Sequence, residues 1–95
     1  MAVGILTLRL QIPGCRSLKD KRSRLKPLLS RLHREFNLSV AELELQDLWD
    51  EASLGCAVIS NDHAFIESML QSVIYWVNKN WPDVTLLDDH LEIID

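Results

Sequence analysis

The sequence predicts an α+β sandwich, with two helices packed on one face of a four-stranded antiparallel sheet. Four segments have the apolar pattern of strands, two carry an apolar stripe with helical spacing, and their order along the chain is βαββαβ. Right-handed crossovers put both helices of such a chain on the same side of the sheet. With 95 residues, 47% of them hydrophobic, we expect a single domain over residues 1–95.

The first strand is predicted over residues 3–12, where Leu6, Leu8, Leu10 and Ile12 occupy every second position. Such alternation is typical of a strand with one face buried. Pro13-Gly14 follows and ends the strand, because proline has no N–H to donate and glycine accepts the geometry of a tight turn.

The first helix is predicted to begin after Ser17 and to run to about Phe36. Ser17 can cap the helix, and Asp20 stands three residues later, where the reciprocal acidic partner of a capping box lies. A later start near Ser23 is the alternative. Pro27 falls opposite the apolar stripe, so we expect it on the solvent side, with a bend instead of a break.

The second and third strands are predicted over residues 40–46 and 53–59. Residues 40–46 alternate between apolar and polar side chains, which indicates a half-exposed strand. Residues 53–59 carry no charge and contain small and branched side chains, which favours a central strand.

The second helix and the last strand complete the order. Asn61 or Asp62 can cap the helix, and Asn80 and Pro82 stop it. The last strand is predicted over residues 84–87 and 91–94, and its interruption at 88–90, two aspartates and a histidine, predicts a bulge or an exposed edge.

These elements in this order predict a ferredoxin-like fold. The sheet face away from the helices is then expected to carry apolar side chains in water, namely Ile5, Ala57, Ile59 and Val40. Exposed apolar patches of this kind mark interaction sites, so we expect a partner on this face, with a homodimer as the simplest case.

Basic residues are concentrated in the first third of the chain. Residues 1–34 contain nine basic residues and one acidic residue, whereas residues 35–95 contain one and thirteen. The basic cluster crowds the start of the first helix, where added cations are unfavourable and anions are favoured. The candidate anion-binding residues are Arg16, Ser17, Lys19, Lys21 and Arg22. Lys21 falls inside the apolar stripe and must reach outward or face a ligand.

Four segments together resemble the YlxP-like family of bacterial domains of unknown function. They are PGCRSLKDKR at 13–22, NLSVAE at 37–42, QDLW at 46–49 and LGCAVISND at 54–62. The resemblance covers essentially the whole chain. It implies a small ferredoxin-like protein, often encoded beside transcription, translation and ribosome-maturation factors. Leu45 is an apparent departure, because many relatives are expected to carry a polar residue there.

The leading functional hypothesis is a non-catalytic protein that docks its basic first helix on RNA or a ribosomal particle. The first and third strands contain no aromatic residue on which bases could stack, so contact through phosphates is expected. The alternative is a protein–protein interaction module acting as a homodimer. A third hypothesis is an acylphosphatase-like enzyme that uses Gly14 and Arg16, by fold-level analogy alone.

Trp49 is interpreted as a lid on the core or, with Gln46 and Asp47, as a partner-binding tip. Cys15 and Cys56 are expected to be free thiols, and the three histidines are too scattered for a local ligand pair. We therefore expect no metal and no cofactor. The chain opens directly into a strand pattern, and its most apolar stretch is too short to span a bilayer, which predicts a cytoplasmic protein without a membrane partner.

Overall fold

In the computed structural model of the chain, residues 1–43 and 47–95 are described. The elements are β1 (Ala2–Gln11), α1 (Leu18–Glu35), β2 (Ser39–Glu42), β3 (Glu51–Ser60), α2 (His63–Asn80) and β4 (Thr85–Ile94). The strands form one sheet in the order β2-β3-β1-β4, and each strand is antiparallel to its neighbours. The ferredoxin-like α+β fold is confirmed.

Helix α1 begins where its capping residues place it. The Ser17 hydroxyl accepts a hydrogen bond from the Asp20 N–H at 3.0 Å, and the Asp20 carboxylate accepts one from the Arg16 N–H at 3.4 Å. The predicted cap at Ser17 is confirmed, and the alternative start near Ser23 is wrong. Pro27 lies inside the helix and is exposed, as its position opposite the apolar stripe predicts.

The core lies between the sheet and the helices, and β1 supplies its centre. Leu6, Leu8 and Leu10 are completely buried on the helix side of β1. Gly4 precedes them on the same face, and a Cβ atom there would overlap Ile66 and Leu70 of α2. The absence of a side chain at Gly4 therefore lets α2 approach β1 closely.

Strand β2 is shorter than predicted, and the set of its residues that faces the helices is the opposite of the predicted set. It ends at Glu42, although the Leu43 N–H still donates to the Ser53 carbonyl at 2.7 Å. Residues 44–46, the rest of the predicted strand, lie outside the described residues. Val40 pairs with the buried Cys56 and so faces the helices, which corrects the expectation that it lies on the open face. The physical reason is register: in a pleated strand, pairing with β3 alone decides which alternate set faces inward.

Strand β4 is a continuous edge strand with one irregularity. Arg9 pairs with Asp88 and the next residue, Leu10, pairs with Leu86, so Leu87 is the extra residue of a bulge. The exposed edge predicted at 88–90 is present, but the predicted interruption there is wrong, since these residues pair with β1 and the bulge lies one residue earlier, at Leu87. Charged side chains along an edge strand oppose pairing with another sheet, and Asp88 and Asp89 are exposed here.

The open face of the sheet carries an apolar row across three strands. Val3 of β1 pairs with Ile59 of β3 on one side and with Ile94 of β4 on the other. Directly opposed residues share a face, and Ile59 is 63% exposed and Ile94 47% exposed. We call Val3, Ile59 and Ile94 the open-face row. Of the predicted patch, Ile59 belongs to this row, and Ile5 and Ala57 lie on the same face, paired with each other and half-buried.

Candidate functional site

Three connections meet at the end of the molecule where α1 begins. The guanidinium of Arg24 donates to the Pro13 carbonyl in the β1–α1 turn at 2.7 Å and to the Asp83 carbonyl in the α2–β4 connection at 3.1 Å. The Ile12 N–H donates to the Asp50 carbonyl, in the β2–β3 connection, at 2.8 Å. These hydrogen bonds fix the backbone around the candidate anion-binding residues.

Lys21 is a buried cation at the centre of this end. Its side chain is 2% exposed, and its Nζ lies 2.8 Å from Oε2 of Glu42, whose side chain is 19% exposed. The same Nζ donates to the Leu48 carbonyl at 2.6 Å. The sequence predicts that Lys21 reaches outward or faces a ligand; instead its ammonium points inward to β2 and to the β2–β3 connection. Lys21 therefore does not join the exposed cations of the predicted cluster.

Sequence reasoning missed Glu42 as the counterion. Lys21 stands inside the apolar stripe of α1, and Glu42 lies two residues after the inward-facing Val40, on the same face of β2. Two opposite charges on inward faces are a recognisable signal, because a buried charge needs a partner. The signal was hidden because the strand was assigned the opposite face.

Two adjoining pockets open beside this ion pair. The first has a volume of about 250 Å³ and is lined by Leu18, Lys21, Arg22, Glu42 and Asp47. The second has a volume of about 230 Å³ and is lined by the four consecutive residues Asp47, Leu48, Trp49 and Asp50. Asp47 is thus shared by the pocket at the start of α1 and the pocket at the β2–β3 connection.

The other cations of the predicted cluster lie on the surface. Arg16, Lys19 and Arg22 are exposed, and none of them forms an ion pair within residues 1–43 and 47–95. At 100° per residue, Lys19, Arg22 and Lys26 fall within about 60° of one another on α1. Ser17 is exposed as well, but its hydroxyl is engaged by the helix cap.

The acidic part of the chain neutralises other bases. Glu51 lies 3.8 Å from Arg9 on the open face, and Glu35 lies 3.3 Å from Arg31 within α1. Glu42 and Asp47 line the pocket at the start of α1 together with Arg22, but within the described residues no acidic side chain forms an ion pair with Arg16, Lys19 or Arg22.

Trp49 does not serve as a lid on the core, which corrects the first of its two interpretations. Its side chain is 52% exposed, because the β2–β3 connection carries it outward. Asp47 is exposed beside it. Gln46, the third residue of the predicted tip, lies outside the described residues.

Neither cysteine has the surroundings of a reactive thiol. Both are free and buried, and burial raises the pKa of the Cys56 thiol to about 11. The Cys15 Sγ lies 3.5 Å from the Ser17 carbonyl. Gly14 adopts a left-handed φ of 78° in the turn before Arg16, and its use with Arg16 in catalysis stays a prediction.

No three His, Cys, Asp or Glu side chains in residues 1–43 and 47–95 are grouped as a metal ion requires. Across the same ranges, no helix has the length and apolar character that crossing a bilayer demands.

Comparison with known proteins gives the family. The model of the family described as "Protein of unknown function (DUF503)" matches residues 3–90. The chain belongs to this family. A curated DUF503 relative is "Uncharacterized protein YlxP" of Bacillus subtilis (strain 168), which is 37% identical over 68 residues, or 72% of this chain and 73% of the relative. The resemblance to YlxP-like proteins is thereby confirmed.

A solved structure of another origin shares the fold. "De novo designed protein Foldit4" aligns with a TM-score of 0.52 at 14% identity, covering 98% of this chain and 97% of its own. At that identity the likeness to this DUF503 member concerns the fold alone.

Proposed function

We propose that this protein binds the phosphate backbone of RNA, as on a ribosomal particle, through Arg16, Lys19 and Arg22, and that it does so without catalysis. One observation carries the proposal: three exposed cations crowd the start of α1 without an acidic partner in the described residues. Backbone phosphates are the anions that such a cluster fits, because they recur along a strand.

The energetics of α1 support a ligand at this place. A cation near a helix N-terminus is unfavourable by roughly 0.3–1 kcal/mol, since the helix dipole is already positive there. Three exposed cations in this region therefore do nothing for the stability of the helix, whereas the buried Lys21 is explained by Glu42. A phosphate group would relieve the mutual repulsion of the three.

The site favours backbone over base recognition. The open face of β1 and β3 carries no aromatic side chain, so the base stacking on the sheet that other proteins of this fold use has no platform here. Contacts to about three phosphates predict a slope near −2 to −3 for the logarithm of affinity against the logarithm of salt concentration.

The test is a charge-matched pair of variants. Arg16→Ala/Lys19→Ala/Arg22→Ala removes the cluster, and Arg9→Ala/Arg34→Ala/Lys79→Ala removes the same number of charges elsewhere. Both are compared with wild type in co-sedimentation with ribosomal particles and in RNA filter binding from about 50 to 200 mM salt. We expect the cluster variant to lose binding and the salt slope, and the control to keep both. Failure of the wild type to bind any RNA at low salt would refute the proposal.

A second candidate function is self-association, and the open-face row favours it. Ile59 and Ile94 are exposed on either side of Val3 and form a contiguous apolar strip across three strands. Isologous dimers bury the same patch on both copies, so one such strip can supply both sides of the interface. The two candidates use opposite layers of the fold, and a homodimer would leave the start of α1 accessible.

A further inference from the structure

We infer, on the basis of the proposed function, that Trp49 is a stacking platform for one unpaired base of the bound RNA. Asp47 and Asp50 flank the indole and accept hydrogen bonds from amino groups of that base. The ligand class is thus single-stranded RNA with an amino-bearing base beside the phosphates held by α1. Three features support the inference: the hydrogen-bonded backbone on both sides of Trp49, the residue Asp47 that lines both pockets, and the acidic residues among their lining.

The backbone on both sides of Trp49 is held in place. On the preceding side, the buried Lys21 Nζ donates to the Leu48 carbonyl at 2.6 Å. On the following side, the Asp50 carbonyl accepts from the Ile12 N–H at 2.8 Å. An indole that is 52% exposed is therefore presented from an anchored loop. Such pre-organisation lowers the entropic cost of binding a flat ligand.

The stacking surface adjoins the cations. Arg22 lines the first pocket and Trp49 lines the second, and Asp47 is common to both. A strand whose phosphates lie on Arg22 and Lys19 can therefore place a neighbouring base in the second pocket. Positive grooves with adjacent aromatic side chains are the recurrent means of binding single strands.

The acidic residues of the second pocket determine which part of the RNA strand enters it. Carboxylates of Asp47 and Asp50 repel phosphate, so the backbone stays on the α1 side. They attract N–H donors, and aspartate accepts hydrogen bonds from the N4 amino group of cytosine. Uracil presents a carbonyl oxygen at the same position of the ring, which the carboxylates disfavour.

The test compares 5′-fluorescein-labelled oligocytidine and oligouridine of equal length, with fluorescence anisotropy as the readout. These probes carry the same charge and differ at one exocyclic position of a pyrimidine. We expect wild type to prefer oligocytidine, and Trp49→Ala to weaken its binding roughly 5- to 150-fold. Trp49→Phe should recover most of that loss, and Tyr75→Ala, at an exposed aromatic residue of α2, should change nothing.

The role of the Asp47 and Asp50 carboxylates is tested by the ratio of the affinities for oligocytidine and oligouridine. Asp47→Ala/Asp50→Ala should abolish the preference for oligocytidine, because it removes the acceptors of the N4 amino group, and should tighten binding of oligouridine, because the repulsion of its carbonyl oxygen is removed. Equal affinity of wild type for the two probes, or a Trp49→Ala variant that binds as wild type does, would overturn the inference while leaving backbone binding intact. Loss of RNA binding in the cluster variant with an unchanged Trp49→Ala variant separates the two proposals. Circular dichroism checks the fold of each variant.

Discussion

The ion pair between Lys21 and Glu42 is the most consequential contact at the scale of single residues. It joins α1 to β2 through Nζ and Oε2 at 2.8 Å, and Lys21 extends the linkage to the β2–β3 connection through the Leu48 carbonyl. Removal of one member of a buried pair leaves the other charge poorly solvated, which costs more than the pair itself contributes. Lys21 thus holds in place the loop that carries Trp49.

Lys21→Met is predicted to destabilise the protein by about 2–3 kcal/mol. This lies below the roughly 3–5 kcal/mol of a fully buried pair, because the Glu42 side chain keeps 19% of its exposure. Urea unfolding measures the change, with Lys19→Met on the exposed face of α1 as control, expected within about 0.5 kcal/mol of wild type. Lys21→Met/Glu42→Met should recover most of the loss. If Lys21→Met and Lys19→Met had the same free energy of unfolding, the ion pair between Lys21 and Glu42 would not contribute to stability.

The packing of α2 on β1 is decided at the scale of elements. Helix α2 carries a buried stripe of Ile66, Leu70, Val73 and Val77, and two of these side chains occupy the space above Gly4. Close-packed interiors do not absorb an added methyl group without a shift of backbone or rotamer. The distance between this helix and the sheet therefore depends on a single glycine.

Gly4→Ala is predicted to cost roughly 1–3 kcal/mol, because the new Cβ would overlap Ile66 and lie 2.9 Å from a terminal methyl of Leu70. Gly55→Ala makes the same change on the open face. There the three atoms nearest to the Cβ all belong to the Leu43 side chain, which is 46% exposed and is expected to move aside at lower cost than the buried Ile66. Thermal or urea unfolding should separate the two variants clearly. If the two substitutions lowered the free energy of unfolding equally, α2 would move away from the sheet without loss of stability.

At the scale of the whole molecule, the fold separates two surfaces. The helix layer carries the exposed cations at the start of α1, and the opposite sheet face carries the open-face row. Edge pairing through β4 is opposed by the exposed Asp88 and Asp89. Pairing through the β4 edge is therefore disfavoured.

Ile59→Asp is predicted to shift a dimer of this protein to monomer, since a carboxylate on each copy would be desolvated against an apolar surface. Sedimentation velocity over a range of protein concentrations measures the shift, and the dissociation constant should rise at least about tenfold. Tyr75→Asp is the control, because Tyr75 is 67% exposed on α2 and away from the sheet. A wild-type chain that stays monomeric at every concentration would contradict the second candidate function.

Local pattern was enough for most of the fold. The alternation in β1 and the Ser17 cap are consequences of neighbouring residues and were predicted, and Asp62 was one of the two caps expected for α2. Four exposed residues of the candidate site, Arg16, Ser17, Lys19 and Arg22, could also be predicted, because charge at a helix start is visible in the chain. Helical spacing likewise marked Lys21 as exceptional.

The sequence by itself determined the order of elements, the capped start of α1 and the position of its cations, because these depend on contacts between residues a few positions apart. Only the tertiary structure decided where Lys21 points, since Glu42 is remote in the chain and its face follows from the register between β2 and β3. The same holds for the surroundings of Trp49: its neighbours Leu48 and Asp50 accept hydrogen bonds from Lys21 and Ile12, and no local pattern encodes these contacts. Because of this long-range pairing, four residues of the predicted cluster, the cations Arg16, Lys19 and Arg22 and the capping Ser17, are exposed, whereas the fifth, Lys21, is buried.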